Sequence, residues 1–252
     1  MEIVFLGAGN LANPIKIFLS KKNNVQIIPL RGTKISEFEE YFSNFKREKI
    51  FIDLMDPNRI DINTNFELIK KGNEVRQLVA NSIKVKQYIY FSSANLYVPK
   101  IREIYEGDQI LDQTQNKYLI MKKETEIFLK SLSLPVSICR VPNIWGHTSE
   151  TSFFSDLIKA YKNKLKIEYV KGDEEVLSYI NILDLSKLLD LIIQLNILGV
   201  VNLSTDNFNS RYNLKANINC HKNIEPINQK GIRLFSDKLK WEKFFKRRRL
   251  PF

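Results

Sequence analysis

The chain has 252 residues, 44% of them hydrophobic and 27% charged, which excludes disorder throughout; nine Gly and eight Pro exclude a fibrous or linker-dominated chain. Lysine and arginine outnumber the acids 39 to 28, and the resulting charge of +11 favours anionic partners such as nucleic acid, a membrane surface or phosphorylated small molecules. No apolar run approaches the ~20 residues that span a bilayer, so no transmembrane segment is expected.

Glu2–Leu6 is a short apolar strand running into Gly7-Ala8-Gly9-Asn10-Leu11-Ala12, and Asn10 to about Ser20 reads as a helix. Val25–Leu30 is a second strand, Ser36–Phe45 a second helix and Ile50–Met55 a third strand. The next helix, roughly Asn65 to Ser82, carries Leu68, Val75 and Val79 on one face. Tyr88–Ser92 is a strand, followed by a helix over Lys117–Leu132 with Ile120/Ile127 and Met121/Phe128 seven apart. Val136–Val141 is again a strand, Leu185, Leu188, Leu189 and Ile192 mark an amphipathic helix, and Val200–Leu203 is a late strand. Parallel strands need helical crossovers, so repeated βα units predict an α/β fold with a doubly wound parallel sheet of Rossmann type. The expected division is a dinucleotide-binding core over 1–165 and a small, reduced C-terminal substrate-binding part over 166–252, interleaved with the core. No element is placed after about Asp206.

Other sequence features add exclusions. Cys139 and Cys220 give neither a disulfide framework nor metal-ligand spacing, and His147 and His221 have no ligand partners beside them, so no metal is expected. Met1 leads straight into a strand and turn without the basic start and cleavage site of a signal peptide, which predicts a cytoplasmic protein. The cluster Lys246-Arg247-Arg248-Arg249, behind Trp241, Phe244 and Phe245, reads as a solvated tail. No basic stripe is interleaved with aromatics, so nucleic acid is not an expected partner.

The turn after the first strand is G-x-G-x-x-A. Gly7 allows the tight turn, Gly9 lets the backbone approach a pyrophosphate, and Ala12 keeps the helix close to the strand. Free N–H groups at the helix start, around Asn10 and Leu11, would hold the anion. A NAD site normally has an acid at the end of the second strand for the ribose hydroxyls, whereas this chain has Leu30-Arg31-Gly32-Thr33-Lys34. With Arg31 there and no acid, a 2′-phosphate is favoured, hence NADPH over NADH, with NAD the alternative.

Tyr118 and Lys122 stand four apart on a helix and so share one face. A phenol near its reference pKa of ~10 is a poor proton shuttle at neutral pH, and a nearby ammonium makes it more acidic. With ten tyrosines, and 39 Lys or Arg in 252 residues, about 1.5 such basic neighbours arise by chance, so order and context must supply the specificity. The strand Tyr88–Ser92 delivers serines to its carboxyl end, where doubly wound sheets bind ligands.

At these residues the chain resembles the extended-type short-chain dehydrogenases/reductases, the epimerase, dehydratase and reductase family that modifies nucleotide sugars. Phe91-Ser92-Ser93-Ala94-Asn95-Leu96-Tyr97 is similar to its F-S-S-x-x-V-Y segment, and Tyr118 to Glu126 to its Y-x-x-x-K-x-x-x-E helix. Arg140-Val141-Pro142-Asn143-Ile144-Trp145-Gly146 matches R-x-x-N-x-x-G, and Ser178 to Asp184 resembles d-Y-x-x-V-x-D. The similarity covers roughly residues 1–205. It implies Ser93, Tyr118 and Lys122 as catalytic triad, with Ser93 bonding the reacting oxygen, Tyr118 giving or taking its proton and Lys122 bonding the nicotinamide ribose. It further implies Met55, Ser92, Val141 and Pro142 along the cofactor, and Asn95 and Asn143 towards substrate. Relatives are often homodimers through the Tyr–Lys helix, so a homodimer is implied.

The chain departs from that pattern in four places. Only one helix lies between the second strand and Ile50, so a βα unit is missing. The D-x-V-x-x-L-A-A strand reads Phe51-Ile52-Asp53-Leu54-Met55-Asp56-Pro57, with Asp56 in place of a small residue. Ala94-Asn95 replaces the Asp-Glu pair of the dehydratases, which argues against a 4,6-dehydratase. Leu177 and Ser178 stand where epimerases often have an arginine for the diphosphate, a task Lys171 or another base would take over. The expected activity is NADPH-dependent reduction of a keto sugar, expected to be nucleotide-linked, in surface-polysaccharide precursor synthesis. A NAD-dependent nucleotide-sugar epimerase and a non-catalytic NADP-binding sensor are the alternatives.

Overall fold

The computed structural model describes residues 1–57, 66–82, 84–146, 153–168, 175–205, 207–219 and 232–236. His147, Lys171, Asp206, Cys220, His221 and the basic cluster at 246–249 lie outside the described residues.

Strand β1 (Glu2–Leu6) is buried on both faces, as its unbroken apolar run requires of an interior parallel strand. It leads to α1 (Ala12–Leu19), β2 (Asn24–Ile28), α2 (Ile35–Ser43) and β3 (Lys49–Asp53). Then come α3 (Phe66–Asn81), β4 (Val85–Ser93), a 3-10 turn over Ala94–Leu96, α4 (Lys117–Ser131) and β5 (Val136–Val141). The remaining elements are β6 (Asn143–Trp145), α5 (Phe153–Lys162), β7 (Val176–Asn181), α6 (Ile182–Leu195), β8 (Gly199–Asn202), β9 (Phe208–Ser210) and α7 (Arg211–Asn219).

Six strands form one parallel sheet in the order β2-β1-β3-β4-β5-β8. Side chains alternate across it. Ile3 and Phe5 join Ile15 of α1 and Leu185 and Leu189 of α6 on one face. Val4 and Leu6 join Phe38 and Phe42 of α2, Val75 and Val79 of α3 and Leu129 of α4 on the other. The sheet is therefore doubly wound, as expected. One helix separates β2 from β3, so β2 ends the sheet. The chain turns one way from β1 to β2 and the other way to β3, which puts a topological switch point beside the glycine turn, on the edge where such sheets bind ligands.

Two expectations change. The stripe Ile120/Ile127 on α4 faces outward, Ile127 being 59% exposed. The face against the sheet carries Leu119, Met121, Lys122, Thr125, Glu126 and Leu129, because pairing lets charged groups occupy positions that periodicity assigns to apolar ones. The second half also holds a three-stranded sheet, β6-β7-β9, parallel then antiparallel, which the sequence reading lacks. Its two outer strands have three residues each, too short for a period of two to register.

Candidate active site

The turn after β1 has the backbone its sequence demands. Gly7 has φ +99°, its N–H donates to the Ile28 carbonyl at 2.8 Å, and a Cβ there would lie 2.7 Å from the Leu54 carbonyl oxygen. Gly9 is exposed, and a Cβ on it would meet nothing within 4 Å. Asn10 is exposed too, and Leu11 begins α1 without a side-chain cap. Open space thus faces the amides that start the helix, and the turn fits an anionic pyrophosphate. Beyond β2, Arg31 is exposed and Gly32 has φ +84°. Lys71 of α3 closes this turn by donating to the carbonyls of Leu30 (2.8 Å) and Thr33.

β4 and α4 bring the Ser, Tyr and Lys to the same edge. Ser93, the last residue of β4, is 5% exposed and caps the 3-10 turn by accepting the Asn95 N–H at 3.3 Å. Asn116 caps α4 by accepting the N–H groups of Tyr118 and Leu119 at 3.0 and 3.4 Å. That cap sets the start of the helix one residue before Tyr118, so Tyr118 and Lys122 follow on successive turns. The Lys122 ammonium lies 5.6 Å from the centre of the Tyr118 ring and 4.9 Å from that of Tyr90.

Lys122 is 7% exposed and donates to the Phe91 carbonyl at 2.6 Å and to Asp56 Oδ2 at 2.9 Å. Behind Asp56 the charges continue. Arg76 of α3, 0% exposed, donates from Nη2 to Asp56 Oδ1, and from Nε and Nη2 to Asp53 at 2.7 and 3.3 Å. Its Nη1 donates to Asn73 at 2.8 Å. The hydroxyls of Tyr88 and Tyr90 donate to Asp53 and Asp56. Four charges of alternating sign, Asp53, Arg76, Asp56 and Lys122, therefore run from β3 to α4. Burial alone would raise the Asp56 carboxyl, but Arg76 and Lys122 outweigh it and hold the group well below the usual carboxylate range. Burial would lower the Lys122 ammonium, but the Asp56 charge, its hydrogen bond and the other negative groups nearby together outweigh burial and leave it raised. Burial, followed by the Asp56 charge, pushes the Tyr90 phenol well up.

A second buried pair fixes α4 to β5. Arg140 donates to Glu126 from Nε and Nη2 at 3.0 and 2.8 Å, and Ser92 donates to the same carboxylate at 2.6 Å. The Ser92 hydroxyl is thus committed to Glu126, so its side chain faces the interior and not the crevice. Met55 is buried and donates its N–H to Asp53 at 2.9 Å. Val141 and Pro142 lie buried where β5 leaves the sheet, beside Ser93, which pairs with Val141. Asn143 donates to the Ser178 carbonyl at 3.1 Å, joining β6 to β7. Ser93, Tyr118, Lys122, Val141 and Asn95 gather at one end of β4, β5 and α4, and the glycine turn lies across β3 on the same edge. Arg76 and Asp53 were not found from sequence. The only signal for Arg76 was an arginine beside Val75 in an apolar stripe; its other partner, Asp56, showed as an acid where the related pattern has a small residue.

No family model and no curated protein matches the sequence. Solved structures do match the fold. The Bordetella bronchiseptica enzyme WbmG, in complex with NAD, is 18% identical with a TM-score of 0.73 over 94% of this chain and 86% of that one. A UDP-glucose 4-epimerase from Thermotoga maritima, with UDP-glucose, is 16% identical at TM-score 0.74 over 94% and 91%. A dTDP-4-dehydrorhamnose reductase from Clostridium acetobutylicum is 18% identical at TM-score 0.71 over 98% and 86%. The chain has the doubly wound fold of these proteins. No described helix is long and apolar enough to cross a membrane.

Proposed function

We propose that the chain is a nicotinamide-dependent enzyme of the extended short-chain dehydrogenase/reductase family, an NADPH-dependent reductase of a keto sugar carried on a nucleotide. The observation that carries this is the Tyr118–Lys122 pair on α4, placed with Ser93 at the carboxyl edge of a sheet whose first turn is open to a pyrophosphate. The similarity of fold to proteins crystallised with NAD and with UDP-glucose supports the cofactor and substrate class.

Gly7 and Gly9, with the amides of Asn10 and Leu11, would hold the pyrophosphate, and Arg31 at the end of β2 would meet a 2′-phosphate. Met55, Val141 and Pro142 would line the nicotinamide half. When bound, the reduced nicotinamide supplies the hydride for the carbonyl carbon. The chain's own work is at the oxygen. Ser93 donates a hydrogen bond to it, Tyr118 delivers its phenolic proton, and the Lys122 ammonium stabilises the phenolate left behind. Lys122 has three N–H donors, two of which serve Asp56 and the Phe91 carbonyl, leaving one for the ribose or the phenol side. Asn95 and Asn143 flank the substrate side. Ala94 has no proton to transfer, which argues against a dehydratase.

Tyr118→Phe should bind NADPH as the wild type does, measured by fluorescence titration. Turnover on a keto-sugar nucleotide should fall about 10²–10⁴-fold, the usual weight of a positioned proton donor. Retained turnover would rule the reading out. Similarity to a UDP-glucose 4-epimerase favours a second reading, NAD-dependent epimerisation with the same triad. A nicotinamide that survives dialysis, with isomerisation and no net cofactor consumption, would select it.

A further inference from the structure

We propose that Asp56 is a positioning residue for Lys122, a counter-charge that fixes the ammonium and sets how acidic the Tyr118 phenol becomes. The inference rests on the reading of Tyr118 as proton carrier and Lys122 as its charge partner, and adds to it a residue that the family pattern does not supply.

Lys122 alone beside Tyr118 would be a full positive charge in a site where its side chain is 8% exposed, and unscreened charge there acts strongly on a neighbouring phenol. The chain instead places Asp56 three residues beyond the end of β3, with its side chain 4% exposed and its Oδ2 accepting from the ammonium at 2.9 Å. Asp56 is itself anchored. Arg76 holds Oδ1, the Tyr90 hydroxyl reaches Oδ2, and Arg76 is held in turn by Asp53 and Asn73. The carboxylate is thus held by Arg76 and Tyr90, and Lys122 donates to it while also donating to the Phe91 carbonyl.

Every element around the pair contributes a facing group. β3 gives Asp53, α3 gives Arg76, β4 gives Tyr88 and Tyr90, and α4 gives Tyr118. One turn along α4, Glu126 is already occupied by Arg140 and Ser92. Asp53, Arg76, Asp56 and Lys122 sum to zero. Removing Asp56 leaves one net positive charge next to Tyr118, which favours the phenolate.

The test is the ultraviolet tyrosinate titration of the full chain without cofactor. A Tyr118→Phe version of each variant serves as blank, isolating one phenol among ten tyrosines. Asp56→Asn should move the Tyr118 midpoint downward from wild type. Lys122→Met should move it upward, and Asp56→Asn/Lys122→Met, which removes the pair as a neutral unit, should fall between the single variants. A folded Asp56→Asn protein with an unmoved midpoint overturns the proposal. If that variant does not fold, the comparison passes to Lys122→Met and the double variant, and equal midpoints there overturn it. The outcome is independent of turnover. Activity kept by Tyr118→Phe would sink the proposed reaction alone, and a flat titration with activity lost in Tyr118→Phe would sink this inference alone.

Discussion

Gly7 and Gly9 look alike in the sequence and do different work. Gly7 sits at positive φ with its α-carbon pressed towards the Leu54 carbonyl, so Gly7→Ala should cost about 1–3 kcal/mol by strain and displacement of that strand end. Gly9 has no neighbour for a methyl group to strike. Gly9→Ala should leave the thermal midpoint within about 1 °C or so of wild type, since surface changes fall within about 0.5 kcal/mol, yet weaken nucleotide binding measurably. Paired melting curves and cofactor titrations of the two variants check both statements. The sequence named both glycines through one motif, because spacing encodes the turn. It did not reveal which one the protein packs against, since Leu54 is far away along the chain.

Helix α4 shows where periodicity misleads. Its outward isoleucines look like a core stripe, while its inward face is built on Lys122 and Glu126, each neutralised by a partner from another element. The Glu126–Arg140 pair, with side chains 2% and 4% exposed, locks this helix to β5. Burial alone would lower the Arg140 guanidinium, and its bonds to Glu126 leave it raised. Arg140→Ala strands a buried carboxylate and should cost about 3–5 kcal/mol in urea unfolding. Removing both charges in Glu126→Gln/Arg140→Met should cost less than the single change. Tyr118 and Lys122 were legible because their spacing is local. Arg76 and Asp53 were not, because a buried arginine 23 residues from its aspartate leaves no local pattern.

For the whole molecule, the alternating line of buried charges makes stability depend on acid. The Asp56 carboxyl is held below its unfolded value of ~3.9, so its contribution is complete above about pH 4 and is lost as pH falls towards the folded value. Urea midpoints should therefore drop progressively as pH falls below about 4, and Asp56→Asn should flatten part of that drop. The doubly wound architecture was legible from βα alternation over the first 200 residues or so, where strands are long and apolar. The β6-β7-β9 sheet was not, since its strands take their register from Asn143, Ser178 and the 232–236 segment, all contacts between distant parts of the chain. A last consequence comes from the missing βα unit. Among the described residues β2 has no strand on its outer side, so a row of backbone amides and carbonyls borders solvent, the kind of margin onto which another chain can add. Lys21 and Lys22 stand exposed just ahead of it, and the molecule's surplus of positive charge repels its own copies. The lysine richness that first suggests an anionic partner thus also guards an open margin against self-association.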